Sequence, residues 1–484
     1  MKQSEFIAYI TTLIGEFGYL LPEMTLIAGS LFLVVLDLLY KGTAAATVRT
    51  LATLVVLAAT SLAIDAAPIE GAYLNGVLAQ TAVTPTLKYF FVLMTAAVLL
   101  YPNSRVQRRT GEYQYLILMV LLGTFFLIQA QNLLLFYVAL ELVSITSYVL
   151  IAFSFQRKGF EAGIKYLLFG AMSSGLMLYG LSLIYGLSGS LDLAVIPQMV
   201  AQSSDPTWLN LALMLFFVGI FFKLALVPFH IWSPDAYEAG PTAAIALISV
   251  LPKVAILVFF YQFTQLLDTT DVELFNWQYA LSILAIGSMF VGNLSALRQN
   301  NAKRMMAYSS IAHAGTLLIG VIVGTAFGYE AMLFYAVVYG VMNVGVFYFI
   351  DWMEKNELEN ISDLAGLGRQ LPAAGVCMTV LLVSLVGLPP TGGFSAKLLV
   401  FSSLWDVYLQ SADSYLLWFF ALGILNSAIS LFYYLKIPYY LFLKTTNSTQ
   451  RYRVGAVSVV FLACTALLVL ATFFMADLLL EMLF

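Results

Sequence analysis

The sequence predicts an all-α polytopic membrane protein. It should have about fourteen transmembrane helices, an inverted five-helix repeat, and breaks in helices seven, eight and twelve. Three observations predict it. Hydrophobic residues fill 61% of the 484 positions and charged residues only 10%, against about 25% charged in a soluble domain. Mean hydropathy is +0.92. So little polar surface cannot cover a water-soluble globule of this size, so lipid is the main solvent. Apolar runs long enough to cross a bilayer recur along the whole chain. The basic residues fall almost entirely on one side of those runs.

Taken in order, the runs are Leu20–Tyr40, Val48–Ile64, Leu74–Tyr101, Tyr113–Ile128, Asn132–Phe153, Ile164–Tyr185, Trp208–His230, Thr242–Phe263, Trp277–Leu297, Arg304–Val323, Ala331–Ile350, Ala373–Leu404, Ser414–Leu443 and Gly455–Leu480. Each approaches the roughly 20 residues a span requires. The third, twelfth and thirteenth are long enough to tilt or break. The loops between them are short. The longest, Ser188–Thr207 and Asp351–Pro372, cannot hold a separate core. Residues 1–484 therefore read as one transmembrane domain. It comprises three N-terminal helices (1–101), a first repeat (113–263), a second repeat (277–443) and a last helix (455–480). No signal or transit peptide is read in Met1–Gly18.

With fourteen spans the loops alternate between two sides. Lys41, Arg49, Arg105, Arg108, Arg109, Arg157, Lys158, Lys165, Arg298, Lys303, Arg304, Lys355, Arg369, Lys444, Arg451 and Arg453 share the side of the first loop, side A. Side B receives Lys2 and Lys88. The positive-inside rule makes side A cytoplasmic, which puts both termini on the other side.

Several function classes are excluded. Net charge is −4, with no basic stripe to follow a nucleic acid. The two cysteines, Cys377 and Cys464, lie far apart with no ligand motif, and the two histidines, His230 and His313, could at most hold one bis-His haem. No phosphate-binding glycine motif is present. The chain is therefore expected to bind no cofactor of its own.

The remaining charges lie where lipid disfavours them. Glu141 is about nine residues into the fifth run, Lys223 about fifteen into the seventh, and Lys253 about eleven into the eighth. His313 is about nine residues into the tenth, and Lys397 about twenty-four into the twelfth, toward side B. A mid-membrane Lys or Glu costs at least roughly 2.5–3.5 kcal/mol and usually marks function. Lys436 and Asp37 sit near the side A ends of their helices, where snorkelling to the interface explains them. One carboxylate among three central lysines leaves amines without a counter-ion. Burial disfavours the charged form of an amine, so a row of lysines and an imidazole can hold or release protons in turn. Two unit charges 7 Å apart at an effective dielectric of about 20 interact by roughly 2.4 kcal/mol, enough for one loaded site to push the next.

Broken helices mark the path. Pro228 follows Lys223, Pro252 directly precedes Lys253, and Gly387-Leu-Pro-Pro-Thr-Gly-Gly-Phe-Ser-Ala-Lys397 interrupts the twelfth run. A mid-helix proline frees a carbonyl that only protein or water can satisfy in lipid. Paired interruptions in two halves point to inverted repeats. Aligning Pro228 with Pro389 sets Ser384, not a lysine, opposite Lys223. Gly163, Gly170, Gly175 and Gly180 in the sixth helix read as ordinary close packing. The segment Pro228-Phe-His-Ile-Trp-Ser-Pro-Asp-Ala-Tyr-Glu-Ala-Gly-Pro-Thr242 brings His230, Asp235 and Glu238 together on side A. That set is too sparse for a metal site and better suits a vestibule for protons.

These residues resemble a known family. The Lys223-to-Thr242 segment, Lys253, Tyr308-Ser-Ser-Ile-Ala-His313 and Gly387-to-Lys397 look like the antiporter-like membrane subunits of respiratory complex I, over helices four to thirteen. Those subunits are similar to Mrp-type cation/proton antiporters and to membrane subunits of energy-converting hydrogenases. Leu21-Pro-Glu-Met-Thr25, Asp37-Leu-Leu-Tyr-Lys-Gly42 and Ser362-Asp-Leu-Ala-Gly-Leu-Gly368 resemble the subunit N branch of NADH-quinone oxidoreductase. The resemblance implies a Glu141–Lys223 pair, a central Lys253, a terminal Lys397, a bridging His313, and Lys165 as a modulator of the pair. It implies outward proton translocation coupled to quinone reduction in neighbouring subunits, which would carry NADH, FMN, iron–sulfur clusters and quinone. The setting would be a bacterial inner membrane, among other complex I membrane subunits. An Mrp-type antiporter subunit and a non-pumping scaffold subunit are the alternatives.

Overall fold

The computed structural model describes residues 15–40, 45–101, 111–198, 206–268, 276–445 and 450–483. Lys2, Lys41, Arg105, Arg108 and Arg109, and the two chain ends whose side was expected above, lie outside them. The helices of eight or more described residues are α1 (Leu21–Leu39), α2 (Ala45–Ala66), α3 (Val83–Leu99), α4 (Glu112–Gln129), α5 (Leu133–Ala152), α6 (Arg157–Ser188), α7 (Pro206–Leu224), α8 (Trp232–Ala239), α9 (Thr242–Asp268), α10 (Trp277–Leu297), α11 (Ala302–Val323), α12 (Ala326–Lys355), α13 (Pro372–Val386), α14 (Gly392–Ser411), α15 (Ser414–Pro438), α16 (Ala456–Phe474) and α17 (Ala476–Leu483). Among the described residues twelve helices are long and apolar enough to cross a membrane. Two further apolar helices, Val83–Leu99 and Pro372–Val386, are shorter than that length. The third run appears as the shorter apolar helix α3, and the first part of the twelfth as α13.

α9, α11 and α12 form the interior, and α1, α2, α15 and α16 the periphery. A helix apolar on every face is stable only in lipid or inside other helices, and both cases occur here. Leu31, Leu38 and Leu39 of α1 are exposed, whereas Phe259 and Phe260 of α9 are fully buried. α6 and α7 approach closely at Gly180, where a Cβ would lie 2.5 Å from the Phe216 nitrogen.

Three expectations change, and the expected break in the twelfth run is present. The third helix does not begin at Leu74. A hairpin of β1 (Gly71–Tyr73) and β2 (Leu78–Gln80) precedes it, because Asn75-Gly76 supplies the positive φ of a tight turn. The seventh helix stops at Leu224, six residues before His230, and Ala225 takes a positive φ. The following segment, expected as a loop, re-forms as α8. The eighth helix is not broken: α9 passes through Pro252 without interruption. A proline removes only one ladder hydrogen bond, and the helices packed around α9 hold its course. The twelfth run is two helices, α13 and α14, with Gly387 at φ 88° closing the first.

Loop contacts follow the alternation of sides. On side B, Leu78 pairs with Ala130 and Asn132 with Asp192; on side A, Asn301 pairs with Asn360. Asn132 caps α5 and Asn301 caps α11 through their side-chain oxygens. The same device thus opens a helix at each end of the bundle, as an inverted repeat requires.

Candidate functional site

Glu141 stands on α5, Lys223 near the end of α7, Lys253 on α9, His313 on α11 and Lys397 on α14. Lys223 and Lys253 are 3% exposed, His313 4% and Lys397 9%. Among the described residues, none of the three amines meets a carboxylate. Each donates to a neutral oxygen instead: Lys223 to the Tyr166 hydroxyl at 3.0 Å, Lys253 to the Ser310 hydroxyl at 2.7 Å and carbonyl at 3.1 Å, and Lys397 to the Val386 carbonyl at 2.6 Å.

Glu141 and Lys223, which the resemblance pairs, are not within ion-pair distance, although the Glu141 charge still acts on the amine. Glu141 accepts from Ser174 of α6, while Lys223 lies 5.4 Å from the Tyr148 ring centroid and 5.2 Å from that of Tyr166. Aromatic faces replace the missing carboxylate with a weaker attraction. The break after Lys223 leaves polar backbone, and side chains satisfy it. The Trp232 indole donates to the Phe222 carbonyl at 3.0 Å, and the Val227 N–H donates to Ser288 at 2.9 Å. At the second break the Gly393 N–H donates to Ser384 at 3.1 Å, so the serine opposite Lys223 in the repeat closes the break.

Ser310 and His313 are three apart on α11 and share a face. The His313 Nδ1 is 2.6 Å from the Tyr335 hydroxyl and Nε2 is 2.8 Å from that of Tyr434, which also bonds Ser309. A cavity of about 10 Å³ lies between His313 and Lys397, lined also by Asn293, Asn426 and Ser430. One water needs roughly 10–15 Å³. Lys397 is shallower than its place in the sequence implies. Its amine reaches Val386, the fifteenth residue of α13, about 21 Å from that helix's start at 1.5 Å per residue. The break sets α14 beside the last turn of α13 rather than beyond it.

On side A, Arg304 donates to Asp235 at 2.8 Å and Glu238 at 2.9 Å. Burial pushes the Asp235 carboxyl up, but hydrogen bonds and charge from Arg304 and Lys165 outweigh it and hold the group below its ordinary range. Glu238, Lys158, Lys303, Glu354 and Glu359 line a cavity of about 490 Å³. Lys303 closes its floor, donating to the Gly240 carbonyl at 2.7 Å and Glu354 at 2.6 Å. Lys165, which the resemblance makes a modulator of the pair, instead meets Glu161 at 2.9 Å and Asp235 at 3.2 Å. Successive helical residues point about 100° apart, so Tyr166, not Lys165, reaches Lys223.

The family described as NADH:quinone oxidoreductase/Mrp antiporter, transmembrane, matches residues 130–430. The chain belongs to this family. NADH-quinone oxidoreductase subunit N of Chlorobium chlorochromatii is 38% identical over 91% of this chain and 88% of its own length. Subunit N 2 of Sorangium cellulosum is 38% identical over 90% of each. A chain of respiratory complex I from Thermus thermophilus superposes with a TM-score of 0.78 at 29% identity, covering 95% of this chain and 98% of that one. A chain of the Mrp complex from Dietzia shares the fold, with a TM-score of 0.80 at 21% identity over 96% of each chain. The resemblance read from the sequence is borne out. Within the family, the chain stands with the antiporter-like subunits N.

The sequence reading missed Tyr166, Ser174, Tyr335 and Tyr434, because isolated hydroxyls inside helices carry no motif, and it quoted Ser310 within Tyr308-Ser-Ser-Ile-Ala-His313 without giving it a role. It also missed a buried ion pair outside the matched region. Lys88, counted as a side B surface charge, lies 2.8 Å from Glu23, and both side chains are 1% exposed. Gln129 donates to Glu23 at 2.7 Å, and Tyr73 bonds Gln129. The visible signal was a Glu and a Lys near the same end of two N-terminal apolar runs.

Proposed function

We propose that this chain is the proton-translocating subunit N of an NADH-quinone oxidoreductase in a bacterial inner membrane, with both termini on the non-cytoplasmic side. The observation that carries this reading is the row of three buried amines, each bonded to a neutral oxygen and none ion-paired among the described residues. An unpaired buried amine is sensitive to any change in neighbouring charge. Protons enter from side A near His230, Asp235 and Glu238, load Lys253 and Lys223, pass His313 and reach Lys397, then leave to side B. Closing the Glu141–Lys223 pair holds a proton on Lys223, and opening it sends the proton on. Residues 113–263 and 277–443 act as the two halves of this device. NADH, FMN, iron–sulfur clusters and quinone belong to other subunits of the complex, and this chain holds no redox centre. Moving one charge outward against 100 mV takes about 2.3 kcal/mol, which arrives through contacts with those subunits.

The test is proton pumping by the assembled oxidoreductase in inside-out vesicles, with NADH oxidation measured beside it. Lys223→Ala and Glu141→Ala should lower protons pumped per NADH. An unchanged ratio in both variants would overturn the relay.

A further inference from the structure

Lys253 is fully enclosed by protein, yet a relay must load it from side A. The Ser310 hydroxyl has three neighbours: the Lys253 amine at 2.7 Å, the Tyr237 hydroxyl at 3.1 Å and the Tyr339 hydroxyl at 3.0 Å. A hydroxyl offers one donor and two acceptor sites, so this one is saturated. Tyr237 belongs to α8, the helix that carries Asp235 and Glu238 at the vestibule. One helical turn before it, on the same face, stands Ser233. That side chain is fully buried, and its Oγ has no hydrogen-bond partner. Ser233 and Ser249 both lie close enough to the Tyr237 hydroxyl to act on it, although the Ser233 geometry is not that of a well-formed hydrogen bond. One turn earlier again is His230, half-buried, whose Nδ1 makes no well-formed hydrogen bond and whose ring has the Pro228 backbone as its polar neighbour. The Ser233 N–H donates to the His230 carbonyl at 2.9 Å, so the two are held in one turn. Buried polar atoms are nearly always satisfied, and an orphan needs an explanation. The Ser233 hydroxyl, lying between the half-buried His230 imidazole and the saturated Ser310 node, has the spacing of a water-bridged line.

We propose that His230, Ser233, Tyr237 and Ser310 are the proton-uptake line of Lys253; this rests on the relay reading above. With Lys253 neutral, its lone pair accepts from the Ser310 hydroxyl, and Ser310 accepts from Tyr237 and Tyr339. On loading, a new N–H bond forms at the Lys253 amine as the Ser310 O–H bond breaks. The Ser310 O–H bond is remade as the Tyr237 O–H bond breaks. Tyr237 regains its proton from a hydronium ion at the Ser233–His230 end, which becomes water. One positive charge has moved from side A to Lys253, and every hydroxyl is restored with its direction reversed. The end state is the arrangement in which Lys253 donates to Ser310 and Ser310 donates to Tyr237.

The experiment uses the assembled oxidoreductase in inside-out vesicles and compares Tyr237→Phe, Ser310→Ala, Ser310→Thr, Lys253→Ala and Lys223→Ala. Tyr237→Phe removes one oxygen and keeps the ring, so it tests the line even where Ser310→Ala fails to assemble. A positioned proton carrier contributes roughly 10²–10⁴-fold. Proton uptake coupled to NADH oxidation should therefore slow at least about tenfold in Tyr237→Phe and Ser310→Ala. Ser310→Thr, which keeps the hydroxyl, should restore it. Wild-type pumping in Tyr237→Phe and Ser310→Ala, with loss in Lys253→Ala and Lys223→Ala, would overturn the line and leave the relay standing. Wild-type pumping in all of them would overturn both. Equal loss in Ser310→Thr and Ser310→Ala would also overturn the line, since packing and not the hydroxyl would then be at work.

Discussion

Breaking the Glu23–Lys88 pair by one partner should harm the protein far more than removing both charges. The two groups are 2.8 Å apart, and each is 1% exposed. At an effective dielectric of about 20 their gross attraction is roughly 6 kcal/mol, and part of it only offsets desolvation. Replacing one partner leaves the other buried and unpaired, at about 3–5 kcal/mol. Lys88→Met and Glu23→Gln should each show that loss. The double variant should lie within about 1 kcal/mol of the parent, because the substituted amide side chain would still offer an oxygen to the Gln129 amide that now donates to Glu23 at 2.7 Å. Equilibrium unfolding in mixed detergent–SDS micelles, followed by tryptophan fluorescence, measures all four proteins. Single variants within about 0.5 kcal/mol of the parent, or a double variant equal to the sum of the singles, would refute the reasoning.

Two further predictions concern other parts of the chain. The Asp235 carboxyl is held below its ordinary value of 3.8, so its ion pairs stabilise the α8 region at and above that pH and are lost only as pH falls below it. Hydrogen exchange of α8 amides, corrected for intrinsic rates, should be flat from about pH 7 to 5 and rise below about pH 4; loss of protection already at about pH 6 would contradict it. Gly393→Ala should block assembly, because its Cβ would lie 1.8 Å from the Ser384 carbonyl oxygen, whereas Gly175→Ala meets nothing within 4 Å and should be silent. Abundance of the assembled complex on native gels distinguishes the two.

The pattern of apolar runs and the isolated charges within them were legible because lipid tolerates few exceptions. Glu141, Lys223, Lys253, His313 and Lys397 stood out for that reason, and the structure places each inside the bundle or on its interior edge. The proline rule succeeded at Pro228 and the Pro389–Pro390 break and failed at Pro252, since a kink depends on what surrounds the helix. Lys88 was misread as a surface charge because its carboxylate partner lies 65 positions away in the sequence. Lys165 and Tyr166 show the same limit at the scale of one residue: helical phase, not proximity in sequence, decides which of them meets Lys223.

By itself, the sequence determined the solvent, the number of apolar runs, the preferred side of the basic residues and the identity of the charges that lipid would not accept. Those properties follow from transfer energies, which each segment carries independently of the others. Only the tertiary structure decided who partners those charges: Tyr166 for Lys223, Ser310 for Lys253, two tyrosines for His313 and a carbonyl for Lys397. Hydrogen bonds need atoms within about 3 Å and in line. That condition joins residues from different helices, and no single stretch of sequence encodes it.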